Sequence, residues 1–289
     1  MTVRKAVILA AGHGTRFLPE TKAVPKEMLP LVDQPVIQHV VEEAVSAGLT
    51  QITIVTAQSK RAVEDHFDRN PDLEEALASG GKEAELREVQ RVTNLAEFAF
   101  VRQKERKGIA DAVLQARQVI GAEPFALFFP DDVIVSDVPA IRQLVDVYES
   151  HGGSVVAVQQ LPREEVVHYG VIRPEPVEER VYRVRAIVEK PAVADAPSDL
   201  TTVGRFILTP EIWPLIERTP PGLKGEVQLT DSLALLIESG EPLFACQFRG
   251  ERFDTGRPLG LLEASIALAL RREDTGPELK RYLKSLSLG

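Results

Sequence analysis

Two spacings of apolar residues alternate along the first 153 positions. Short continuous apolar runs, KAVILAA (5–11), QITIVTA (51–57), EFAFVRQ (97–103) and PFALFFPDD (124–132), predict buried strands. Between them lie segments with helical period. In PVIQHVVEEAVSAG (35–48), Val36, Ile37, Val40, Val41, Ala44 and Val45 share one face, and Gly48 provides a stop. SKRAVEDHF, GIADAVLQARQVIG and VPAIRQLVDVYESHGG follow the same rule. The charged stretch 81–91 predicts a solvated helix. Strand and helix in alternation imply an α/β fold, with a mostly parallel central sheet covered by helices on both faces.

After residue 153 the rhythm changes. SVVAVQQL is another buried strand, but from about 160 to 210 the chain is richer in Pro, Val and charge. HYGVIRPE and YRVRAIVEKP read as half-exposed strands of a small antiparallel lobe. TPEIWPLIERT and EVQLTDSLALLIESG return to helix, and 259–286 predicts a helical hairpin. Nothing resembles a linker or a repeat. The expectation is one domain with a first half to about 153, a second half over about 154–260 and a C-terminal helical tail over about 261–289.

Composition narrows the function. The chain has 289 residues, 44% hydrophobic and 27% charged, with net charge −9. Such a balance suits a globular protein and excludes a general binder of polymeric nucleic acid or of membrane surfaces. Cys246 is the only cysteine, so neither an intramolecular disulfide nor a cysteine-rich metal site is possible. The N-terminal MTVRKAVILAAG imitates a signal peptide, but its apolar run is shorter than the ~7–15 residues usual there. No run approaches the ~20 apolar residues of a membrane span. A cytoplasmic location is expected.

The stretch AVILAAGHGTRFLPETKAVPKEMLP (6–30) carries the first chemistry. Gly12 and Gly14 follow a strand, but Phe17 stands where GxGxxG needs its third glycine, and no Gly-Lys-Ser/Thr follows. That disfavours a nicotinamide dinucleotide and a P-loop. Pro19, Pro25 and Pro30 prevent a helix from following directly. Two glycines after a strand also make an ordinary turn. Their backbone N–H groups together with the Arg16 fork and the mobile Lys26 charge, however, suit a triphosphate held on an irregular loop.

Taken with PKEMLPLVDQP, TPPGLKGEVQLTD and PELKRYLKSL, this stretch resembles the sugar-1-phosphate nucleotidyltransferases, from about Lys5 to Leu286. The form of these segments points to the branch that joins UTP to glucose 1-phosphate, giving UDP-glucose and pyrophosphate. The resemblance implies in-line attack of the sugar phosphate on the α-phosphorus, Mg²⁺ as cofactor, and assembly as a homodimer or homotetramer. It implies that Ala11, Gly12, Gly14, Thr15 and Gly108 hold the nucleotide, and that Gln103 reads the pyrimidine edge. Glu27 suits the same purpose, because a carboxylate accepts N3–H of uracil. Arg16, Lys26 and Lys190 neutralise phosphate charge.

For the metal, the matching positions are Asp131 in FFPDDVIV and Asp254 in RFDTG; alone, each reads as a turn aspartate. Glu189 and Lys190 in IVEKP match the groups for sugar hydroxyls and sugar phosphate, although adjacent strand residues face opposite sides. Tyr169 and Gly170 match groups lining the hexose, with Gly204 and Glu226 as further sugar-side candidates. One departure stands out. The UTP branch usually carries Gly-Leu-Gly-His where this chain has Gly-Ile-Ala-Asp (108–111), closer to the branch that uses dTTP. A catalytically silent nucleotide-sugar sensor is a further alternative, disfavoured by the joint presence of Arg16, Lys26, Asp131, Lys190 and Asp254.

Overall fold

A computed structural model describes residues 2–222 and 225–286; Leu223 and Lys224 of the TPPGLKGEVQLTD segment lie outside the described residues. The strands are β1 (Lys5–Leu9), β2 (Pro30–Leu31), β3 (Gln34–Pro35), β4 (Gln51–Thr56), β5 (Glu97–Arg102), β6 (Phe125–Phe128) and β7 (Asp132–Val135). They continue with β8 (Ser154–Gln160), β9 (Gly170–Glu178), β10 (Val181–Glu189), β11 (Leu200–Leu208), β12 (Leu243–Gln247) and β13 (Glu251–Asp254). The helices are α1 (Val36–Ser46), α2 (Arg61–Phe67), α3 (Pro71–Ser79), α4 (Glu83–Thr93), α5 (Ile109–Gln115) and α6 (Arg117–Ile120). After them come α7 (Ala140–His151), α8 (Ile212–Arg218), α9 (Leu229–Glu238), α10 (Pro258–Arg271) and α11 (Gly276–Ser285).

Nine strands form one mixed sheet in the order β5-β4-β1-β6-β11-β8-β12-β10-β9. Strands β5, β4, β1 and β6 are parallel, as the alternation implies. Strand β1 shows why both faces are covered: Ala6 and Ile8 point into one apolar layer, with α1 and α7, while Val7 points into the other, with α5, α8 and α9.

The expected antiparallel lobe forms, but as part of the same sheet. Strand β11 enters the middle of the sheet, antiparallel to both β6 and β8, and all but one of its residues are buried. Only its VGRFIL segment is apolar enough to suggest this, and Arg205 within it disguises a central strand. Strands β9 and β10 make a hairpin on the same sheet. Thr201 of β11 also pairs with Val171 of β9, which brings the start of β9 and the end of β10 beside β11. No helix among the described residues is long and apolar enough to cross a membrane.

Candidate active site

Parallel strands open a crevice beyond their carboxyl ends. Here the segments after β1, β5 and β6 supply Ala11 and Gly12, Gln103 and Gly108, and Asp131. Two cavities meet there. One, of ≈ 500 Å³, is lined by Ala11, Gly12, Lys26, Gln103, Gly108 and Asp131, among others. Its neighbour, of ≈ 450 Å³, is lined by Arg16, Tyr169, Gly170, Glu189, Lys190, Gly204 and Asp254, and again by Asp131. Asp131, Phe129 and Ile109 form the shared wall.

Two glycines are required by close approach. Gly108 has φ +116°, and a Cβ there would sit 2.5 Å from the Val227 backbone nitrogen. A Cβ on Gly204 would lie 2.5 Å from Cβ of Phe129 and 2.6 Å from Oδ2 of Asp132. Any side chain at 204 would therefore push β11 off the turn that carries Asp131.

The carboxylates are brought together by a small ladder. Strand β7 starts at Asp132 and pairs antiparallel with β13, setting Asp132 opposite Asp254. A Cβ built on Gly256 would stand 2.9 Å from Oδ2 of Asp131 and 3.0 Å from Oδ1 of Asp254, so both carboxylates border one point. Lys26 Nζ donates to Asp131 Oδ2 at 2.8 Å, and Arg257 Nε lies 3.0 Å from Asp254 Oδ2.

Charge is unevenly distributed across this site. Burial pushes the Asp131 carboxyl up, but the Lys26 and Arg16 cations outweigh it and hold the group below its usual range. Asp132 goes the other way: burial and the neighbouring Asp131 charge raise it, against the pull of Arg252 and Arg205. For Lys26, burial favours the neutral amine, yet the Asp131 and Glu27 carboxylates dominate and raise it. The site thus keeps an ionised Asp131 beside a firmly charged Lys26.

Glu189 and Lys190 both line the second cavity, although strand alternation opposes it. Lys190 has φ +46°, in the left-handed region, which ends β10 and turns the lysine to the same side as Glu189. Their side chains pair at 2.9 Å, and Thr230 Oγ1 donates to Glu189 Oε2 at 2.7 Å.

Four expected residues stand elsewhere. Glu27, expected at the base, does not line the first cavity; it is 1% exposed and accepts from Lys60 Nζ at 2.7 Å. The short 3-10 turn Lys26–Met28 explains this, because ~120° separates successive side chains there. Lys26 facing Asp131 turns Glu27 inward. Gly14 and Thr15 lie in the same opening loop but line neither cavity. Glu226, expected on the sugar side, lines the first cavity and not the second, because Val227 packs against Gly108 and draws residue 226 to that mouth.

Several cations escaped the sequence reading. Arg252 pairs with Asp132 and lies 5.2 Å from the Tyr169 ring centre, in the second cavity. Arg106 donates to the Ala11 carbonyl at 2.8 Å and lines the first cavity. Arg252 and Arg257 flank the FDTG turn, and Arg106 sits between Gln103 and Gly108, so their position beside named motifs was the available signal. Arg205, buried in β11, had none.

The family model described as nucleotidyl transferase matches residues 5–270. A relative from Staphylococcus epidermidis, named UTP–glucose-1-phosphate uridylyltransferase, is 48% identical over 286 residues, 99% of each chain. A crystal structure of UDP-glucose pyrophosphorylase complexed with UDP-glucose is 42% identical, covering 94% of this chain and 100% of that one, with TM-score 0.86. UTP-bound UGPase from Acinetobacter baumannii reaches TM-score 0.92 at 37% identity, covering 99% of this chain and 100% of that one. With its strand-end crevice, two joined cavities and a match over nearly its whole length, the chain belongs to the nucleotidyl transferase family.

Proposed function

We propose that this protein transfers the uridylyl group of UTP to glucose 1-phosphate, releasing UDP-glucose and pyrophosphate. One observation carries the reading: two cavities share Asp131, one lined by the glycine turn and Gln103, the other by Tyr169, Glu189 and Lys190. A nucleotide on the half up to about 153 and a sugar phosphate on the half after it would meet at that wall. The names of relatives that match end to end support the same substrates.

Each group has a role in an in-line displacement. The sugar phosphate is already an anion, so the protein supplies positioning and charge neutralisation, not a nucleophile. The backbone at Ala11 and Gly12 and the Lys26 ammonium face the nucleotide phosphates, and Arg16 approaches from the sugar-side cavity. Lys190 binds the sugar phosphate oxygens and aims one of them at the α-phosphorus. Glu189, fixed by Thr230, accepts from sugar hydroxyls, with Tyr169 and the Gly170 backbone forming the hexose wall. Gln103 reads the pyrimidine edge.

Asp131 and Asp254 fit Mg²⁺: they offer hard oxygen donors at one point, and among the described residues no third Asp, Glu, His or Cys joins them. A site with so few protein donors suits an ion that keeps positions for water and phosphate oxygens. When bound, Mg²⁺ supplies neutralisation of phosphate charge. Assembly as a homodimer or homotetramer belongs to the same proposal.

The test is pyrophosphate release with UTP, dTTP, CTP and GTP against glucose, galactose and mannose 1-phosphates. UTP with glucose 1-phosphate should lead, and CTP and GTP should fall behind by ~10⁴-fold in kcat/KM, the selectivity of a site built to bond one base edge. Comparable kcat/KM for CTP or GTP would sink the base assignment. A preference for dTTP over UTP would favour the second reading, thymidylyl transfer, which the Gly-Ile-Ala-Asp stretch keeps open.

A further inference from the structure

The same Gly-Ile-Ala-Asp stretch holds the residue that reads the base. Gln103 follows β5, with its backbone N–H on the Thr56 carbonyl at 2.9 Å and only 5% of its surface exposed. Its amide nitrogen donates to Oδ2 of Asp111 at 2.7 Å and to the Gly108 carbonyl at 3.2 Å. A carboxylate and a carbonyl are both acceptors without a hydrogen to give. If the amide turned over, its oxygen would face two other oxygens and both hydrogen bonds would be lost. The two acceptors therefore fix the flip. The NH₂ end faces the first turn of α5, and the carbonyl oxygen Oε1 is left for the cavity that Gln103 lines.

Asp111 supplies the stronger of these restraints. Its bond is short and charge-assisted, whereas the Gly108 contact is longer and neutral. Asp111 is itself anchored in the first turn of α5, where Gln115 Nε2 donates to its backbone carbonyl at 3.1 Å. A helix N-terminus also favours a negative charge at that position.

We propose that Asp111 is a positioning residue for base selectivity, holding Gln103 with its carbonyl oxygen toward the base. An acceptor held there takes the hydrogen on N3 of uracil or thymine and opposes the lone pair on N3 of cytosine. Without Asp111 only the longer Gly108 contact restrains the amide, and the flipped orientation, whose NH₂ end serves cytosine, becomes more accessible. Uracil and thymine share the N3–H, so Asp111 leaves the choice between UTP and dTTP untouched. The inference rests on the cavity being the pyrimidine site of the proposed reaction.

The test is calorimetric binding of UTP, dTTP and CTP to the full chain and to Asp111→Asn, without sugar phosphate. Asparagine keeps the size but presents either end to Gln103. The UTP-to-CTP affinity ratio should narrow by about tenfold, the equivalent of roughly one hydrogen bond, with dTTP following UTP. Asp111→Glu, which keeps an acceptor-only group, should recover part of the ratio. In a Gln103→Ala background, Asp111→Asn should move the ratio no further. An unchanged ratio in Asp111→Asn, or equal weakening of UTP and CTP as from a loosened loop, would overturn the proposal. A wild type that binds UTP no better than CTP would overturn it as well. Failure to release pyrophosphate from UTP and glucose 1-phosphate would instead strike the transfer reaction, which these binding ratios do not use.

Discussion

Lys190 shows how one backbone angle can decide chemistry. Its φ of +46° puts a residue with a Cβ where glycine is the usual occupant, and the reward is an ammonium in the same cavity as Glu189. Such strain persists where the surroundings over-determine it, here through the Lys190 N–H on the Tyr169 carbonyl at 3.0 Å. Two substitutions separate the angle from the charge. Lys190→Ala keeps the strain and removes the cation, so the KM for glucose 1-phosphate should rise and kcat should fall on the order of 10²–10³-fold. Lys190→Gly should lose turnover equally but unfold at higher urea, by about 1 kcal/mol relative to the alanine variant. Full turnover in either variant would return Glu189 and Lys190 to a solvated surface pair.

Among the elements, β11 shapes the site more than any other. Its Arg205 is fully buried, and its guanidinium joins three elements. It pairs with Glu43 of α1 at 2.7 Å, and donates to the carbonyls of Phe129, Gly204 and Asp132 at 3.2, 2.9 and 2.6 Å. Glu43 in turn accepts from the Ile141 N–H of α7 at 3.1 Å. The turn that carries Asp131 is thus stapled from below. Arg205→Met should cost about 3–5 kcal/mol, because Glu43 stays buried without its cation. The double variant Glu43→Leu, Arg205→Met should recover much of that stability in urea titration. It should not recover pyrophosphate release, since the Phe129 and Asp132 carbonyls of the turn still lack the guanidinium that ties them to β11. A double variant with wild-type turnover would show that the staple serves stability alone.

Across the whole molecule, the proposed metal pair depends on chain segments far apart in sequence. Asp131 follows a central strand, Asp254 ends an outlying one, and the β7–β13 ladder brings them to one point. Asp131→Asn and Asp254→Asn keep shape but remove charge, so both should fold. Each should raise the Mg²⁺ concentration needed for half-maximal turnover and lose most of kcat. Groups serving one ion act as a unit, and the double variant should lose far less than the product of the single losses. Asp132 is the control: its carboxylate is spent on Arg252 and the Gly204 N–H, so Asp132→Asn should show in thermal stability and leave the Mg²⁺ requirement unchanged. Strictly multiplicative losses at 131 and 254 would mean that the two carboxylates act separately.

The elements and the kind of ligand were legible in the sequence, because both depend on neighbours along the chain. Continuous apolar runs and period-3.6 patterns over a few residues located β1, β4, β5, β6, α1, α2, α5 and α7, while α3 and the short strands β2, β3 and β7 went unread. A glycine turn followed by Arg16 and Lys26 pointed to a polyphosphate before any contact was visible. The decisions left to the tertiary structure all depend on what lies across space. Burial of β11 follows from its place between β6 and β8, not from its own composition. Glu27 was the right residue type for reading uracil, but a tight turn that gives Lys26 to Asp131 sends it to Lys60 instead. Asp111 looked like a departure from a motif, and only the position of α5 beside the end of β5 turned it into the partner of Gln103. Local sequence sets which groups are available; sheet order and register set which of them meet, because hydrogen bonds and charge pairs act over a few ångströms between segments the chain itself holds far apart.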